Sequence, residues 1–131
     1  MSNRAPIITS SSFSRSLLTY RISLSDKKNC SQLFQGIATS LSFEIVPQKS
    51  WDAFLDQFRE FCSIQDEDCI IIIDGFQKFS NIDKKSSEKL IKLMTYAIEE
   101  HYQIIDSNKK KPDKKIIHEN RDVSIQIVIS A

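Results

Sequence analysis

Four consecutive isoleucines, Ile70 to Ile73, follow Cys69 and run into Asp74, Gly75 and Phe76. A short, wholly apolar, β-branched run suits a strand buried on both faces of a parallel sheet. Open α/β sheets bind ligands beyond the carboxyl ends of such strands, and Asp74 stands at that end. The run therefore predicts an α/β fold with one central strand and a carboxylate at the ligand-binding edge.

The rest of the chain decides how far this goes. Its 131 residues suffice for one domain, and a 40% hydrophobic content supplies a core. Lys and Arg number 18 against 17 Asp and Glu, so net charge points to neither nucleic acid nor membrane. The two glycines, Gly36 and Gly75, are too few for a glycine-rich phosphate loop. No apolar run approaches the roughly 20 residues of a membrane helix. Residues 1–16 are Ser-rich, with Arg4 and Arg15 but no apolar core, which excludes a secretory signal; a mitochondrial presequence is the lesser reading. Cys30, Cys62 and Cys69 lack metal-ligand spacing and read as small apolar residues of a reduced, intracellular protein.

Residues 1–18 read as a flexible leader, with a short strand around Ile7 and Ile8. Thr19 to Leu24 alternates, Tyr20, Ile22 and Leu24 on one side and Arg21 and Ser23 on the other, as a strand near a sheet edge does. Leu33, Phe34, Ile37 and Leu41 predict a helix over 31–41, capped by Asn29 or Ser31. After Pro47, Ser50 can cap a second helix. Its core face is Trp51, Phe54, Leu55, Phe58 and Cys62; Asp52, Asp56, Arg59 and Glu60 lie opposite. An acidic loop, Gln65 to Asp68, leads into the isoleucine strand. Residues 75–85 read as loop, and Ser86 or Ser87 as the cap of a helix over 87–105 striped by Leu90, Ile91, Met94, Ile98, Tyr102 and Ile105. Residues 106–122 form a hydrophilic insertion around Pro112, and Val123 to Ile129 alternates as a last strand. The predicted domain, 19–131, is α/β and three-layered. It has a mostly parallel sheet of three or four strands and helices on both faces.

This element order, with Trp51 to Phe58 leading into Ile70 to Asp74, resembles the Walker B half of a P-loop NTPase of the AAA+ or STAND kind. It is most similar to the AAA+ domain of origin recognition complex subunits. Asp74-Gly75-Phe76 also resembles the end of the NACHT-type Walker B strand. The resemblance implies an incomplete P-loop core, with Asp74 as Mg²⁺ and nucleotide ligand and Ser130 as the polar sensor ending the last strand. ATP and Mg²⁺ are implied only through these residues, and no cofactor is the main expectation. No Walker A loop occurs, and Gly75 stands where hydrolytic relatives carry Glu, which argues against catalysis. A strand-ending carboxylate that caps the next turn is the competing account of Asp74.

The remaining motifs are weaker. His101 and His118 have no partner at ligand or triad spacing, and Ser10, Ser11 and Ser12 lack a nucleophile-elbow context. Lys109, Lys110, Lys111, Lys114 and Lys115 form a basic loop that suits nucleic-acid phosphates, or simply a solvated insertion. The sequence thus predicts a degenerate AAA+-like fragment acting as an interaction subunit. The resemblance implies protein partners in a hetero-oligomeric complex at replication origins, DNA contact through the lysines, and a nuclear setting. The alternatives are an ATP-binding NTPase subunit completed by another chain and an ATPase-dead RecA-like scaffold.

Overall fold

The computed structural model describes residues 7–8, 18–47, 50–109 and 123–131. The elements run β1 (Ile7–Ile8), β2 (Leu18–Ser23), α1 (Cys30–Leu41), α2 (Trp51–Ser63), β3 (Cys69–Asp74), α3 (Phe76–Ile82), α4 (Lys84–Lys109) and β4 (Ile125–Ile129). The sheet order is β1-β4-β3-β2, and every pairing is parallel. The isoleucine strand is central: Cys69 pairs with Leu18 on one side and Ile125 on the other. All five of its apolar residues are buried.

The two faces of that strand meet different surroundings. Cys69, Ile71 and Ile73 join the main core with Ile22, Ile125, Ile127 and side chains from all four helices. Ile70 and Ile72 form a separate buried cluster with Val128, and no helical residue belongs to it. Helices were expected on both faces, so this is a departure with a topological cause. From β2 to β3 to β4 the chain steps the same way along the sheet. Right-handed crossovers that keep stepping one way lay the described helices, all of them between β2 and β4, on one face. A three-layer α/β sheet needs a reversal, and the crevice at such a switch point is where ligands bind. No P-loop core is evident in this arrangement.

Local chemistry accounts for the helix boundaries. Asn29 caps α1 by accepting from the Gln32 N–H at 2.9 Å, and Gln32 Oε1 accepts from the Lys28 N–H. Ser42 closes it in the left-handed conformation, φ 60°. Ser50 Oγ caps α2 by accepting from the Ala53 N–H. Along α2 the rings of Phe54, Phe58 and Phe61 stack at 5.6–6.0 Å; Phe34 of α1 continues the row and Tyr20 of β2 meets Phe61 edge-on at 5.0 Å. This row fixes α2 over the sheet and sends its other face outward. Trp51 is half-buried, edge-on to Phe34 at 4.8 Å, as a core residue at a helix start.

Residues 75–85, read as loop, contain α3. Phe79 is its one buried residue, so the segment has no apolar stripe by which to recognise a helix. The cap of α4 is Asp83 rather than Ser86 or Ser87: its Oδ1 accepts from the Ser86 N–H and its Oδ2 from the Ser86 hydroxyl. The helix consequently starts three residues early, at Lys84, and it continues to Lys109, past the expected end. Among the described residues, no helix is long and apolar enough to cross a membrane.

Candidate functional site

The sheet's carboxyl edge brings together the two residues expected to bind nucleotide. Asp74 ends β3 half-buried, and Ser130 follows β4. The Ser130 N–H donates to the Ile73 carbonyl at 2.9 Å, and the Phe76 N–H donates to the Ser130 carbonyl at 3.3 Å. Asp74 Oδ2 accepts from Arg21 Nη1 at 2.6 Å, so its carboxylate faces an arginine on the neighbouring strand. Among the described residues, no cluster of three or more His, Cys, Asp or Glu could hold a metal ion. His101 lies on α4 beside Tyr102. Lys109 ends α4; Lys110, Lys111, Lys114, Lys115, His118 and the serines Ser10 to Ser12 lie outside the described residues.

A different surface has more of the features of a binding face. The core-facing row of α2 leaves Asp52, Asp56 and Glu60 exposed on its outer side. They recur every four residues, so they stand about 6 Å apart along the axis as one stripe. Beside the stripe runs the α1–α2 connection. Ile45 (63% exposed) and Val46 lie on it, and Ile64 (65% exposed) follows the helix's C-terminus. The Ile45 N–H donates to Gln57 Oε1 at 3.4 Å, tying the connection to α2. A cleft of about 120 Å³ between them is lined by Glu44, Gln57, Glu60 and Ile64 among others. Exposed aliphatics next to a row of carboxylates make a surface that suits a protein carrying positive charge.

Arg59 is the one basic residue within α2. Its Nε donates to Glu100 Oε1 at 2.8 Å, and its guanidinium lies over the Tyr96 ring at 5.7 Å; both partners are on α4. The Glu100 bond holds the guanidinium protonated beyond its already high range. Its Nη1 also makes a looser ion pair with Asp56 Oδ1 at 3.6 Å, beyond hydrogen-bond reach.

A sequence model of the Barstar (barnase inhibitor) family matches residues 17–128. The match takes in every element from β2 through most of β4. The chain belongs to this family. A search of the curated proteins found no match.

Membership overturns the AAA+ resemblance, together with the origin-recognition and replication readings drawn from it, and leaves the nuclear setting that depended on them without support. It also displaces the two alternatives, the NTPase completed by another chain and the RecA-like scaffold. The resemblance failed because its strongest residues are generic. An apolar strand ending in Asp-Gly follows from any central parallel strand that must turn sharply into a helix. Here Gly75 adopts φ 72° to do so. The ground for reading Asp74 and Ser130 as nucleotide ligands goes with the resemblance.

The outward face of α2 was visible in the sequence only as the side opposite the core face. The near-zero net charge concealed the signal. Seven acidic and two basic residues fall between Glu44 and Asp68, a local charge of −5, so the remainder of the chain carries +6. Charge counted by segment would have marked this stretch.

Proposed function

We propose that this chain inhibits a barnase-like ribonuclease by docking the outer face of α2 and the adjoining α1–α2 connection into the enzyme's RNA-binding cleft. The stripe of Asp52, Asp56 and Glu60 carries the reading. A ribonuclease must hold a phosphodiester backbone, and proteins do so chiefly with Lys and Arg. A row of carboxylates fixed on a rigid helix offers such a cleft negative charge at regular spacing, with no bond that the enzyme can cleave. Ile45, Val46 and Ile64 would supply the apolar contact beside it. Family membership supports the same partner class, since the family is described as barnase inhibitors.

The electrostatics favour speed as well as affinity. Opposite charges steer encounter, and the steering weakens as salt rises. The pair for which the family is named is the measured case: close charge pairs across barnase and barstar couple by about 1.5–7 kcal/mol. The test is the association rate with barnase, measured across ionic strength by stopped-flow fluorescence. The wild-type chain is expected to associate fast at low salt, with a steep decline as salt rises. Asp56→Asn should slow association and flatten that decline. An association rate indifferent to salt and to Asp56 would refute the reading.

A further inference from the structure

Arg59 occupies the position on α2 from which it could most easily silence the carboxylate stripe. It lies three residues after Asp56 and directly before Glu60, on the face that the stripe occupies. A guanidinium free to rotate there would pair with Asp56, since residues three and four apart on a helix are neighbours. It would then compete with every cation that a partner presents. The structure shows it drawn aside instead. Its Nε is committed to Glu100 at 2.8 Å, its guanidinium is spread over Tyr96, and its ion pair with Asp56 stays loose, with Nη1 3.6 Å from the carboxylate.

We infer that Glu100 is a positioning residue for inhibition: it anchors Arg59 against α4 and so keeps Asp56 available to the partner's cations. This rests on the ribonuclease-inhibitor reading above. Among the described residues the guanidinium contacts Asp56 from its own helix and Tyr96 and Glu100 from α4, and Glu60 and His101 line the same cleft. Glu100 is two-thirds buried, which weakens the competition of water for its bond to Arg59. Asp56 is three-quarters exposed and its ion pair with Arg59 is longer, 3.6 Å, so it is the weaker of the two. Replacing Glu100 by a neutral side chain removes the stronger partner, and the guanidinium then turns to Asp56. The loose pair with Asp56 then closes to hydrogen-bond distance, and the carboxylate that should meet the enzyme is held internally. Glu100 thereby acts on binding through Arg59, without touching the enzyme itself.

A general loss of negative charge must be separated from the release of Arg59. Glu99→Gln is the control: Glu99 is the exposed neighbour of Glu100, and its loss changes the charge equally. The measurement is the association rate of barnase with the full chain for the wild type, E99Q, E100Q, R59Q, R59Q/E99Q and R59Q/E100Q, each first checked for native circular dichroism. We expect E100Q to slow association by about threefold to tenfold more than E99Q at low salt. In the R59Q background the two glutamine substitutions should have equal effects, because there is no guanidinium left to release. A purely structural role for Glu100 would give the same loss in both backgrounds and overturns the inference. Equal effects of E100Q and E99Q on the wild-type background also overturn it, while leaving the inhibitor reading intact. If the wild-type chain does not associate with barnase, both fall together.

Discussion

The phenol oxygen of Tyr102 donates to the carbonyl of Ile125 and accepts from the amide of the same residue, each at 2.9 Å. One hydroxyl of α4 thus stands in for a neighbouring strand at the start of β4, two residues before β1 begins to pair at Ile127. The site is buried, so both main-chain groups rely on it. Tyr102→Phe removes the oxygen and keeps the ring. It should destabilise the fold by about 1–3 kcal/mol, the cost of stranding buried polar groups. Urea denaturation will measure this, and the Ile125 amide should exchange with solvent faster.

The two glycines predict opposite outcomes on substitution by alanine. Gly75 holds φ 72°, and a Cβ there would meet the Ser25 main-chain nitrogen at 2.6 Å. Backbone cannot step aside as a side chain can. Gly75→Ala should therefore cost about 1–3 kcal/mol from strain alone. At Gly36, inside α1, the nearest atom to a new Cβ is the Lys27 Cε, near the end of a flexible side chain. Lys27 can move, so Gly36→Ala should be neutral or stabilising by up to about 1 kcal/mol. Thermal melts of the two variants will show whether the signs differ.

Burial raises the thiol pKa values of Cys62 and Cys69, with Cys69 pushed up to about 12 from 9.0. The folded chain keeps these protons where the unfolded chain loses them. Stability from the two thiols is therefore intact below about pH 9 and declines as pH rises from there toward 12. Each thiol contributes a slope of about 1.4 kcal/mol per pH unit in that window. Replacing Cys69 by Ala should flatten the decline, as followed by denaturation at a series of pH values. In the native state at pH 8, thiol reagents should reach half-buried Cys30 before either buried cysteine.

The fold was legible wherever burial repeats with a period. Ile70 to Ile73 marked the central strand; Phe54 and Phe58 marked the inner face of α2. Cap residues Asn29 and Ser50 were legible too, because a cap is a local bond. α3 was hidden because Phe79 alone is buried. That the described helices share one face was hidden because it depends on strand order, which no residue pattern encodes. The stripe of Asp52, Asp56 and Glu60 was visible as an exposed face, yet an exposed face looks the same whether it meets water or a partner. What separates the two is the uneven distribution of charge along the chain, and the balanced total masked it.

The most direct test of the account is titration of barnase activity on RNA with the purified chain, beside the variant D52N/E60Q and the triple variant D52N/D56N/E60Q. The wild type should abolish activity at near-stoichiometric ratio. The triple variant, folded by circular dichroism, should lose inhibition by two or more orders of magnitude, about 2–5 kcal/mol for each charge that pairs with the enzyme being the upper range. The double variant should fall between them. Inhibition by the triple variant equal to wild type, or none by the wild type itself, would contradict the assignment of this face to ribonuclease binding.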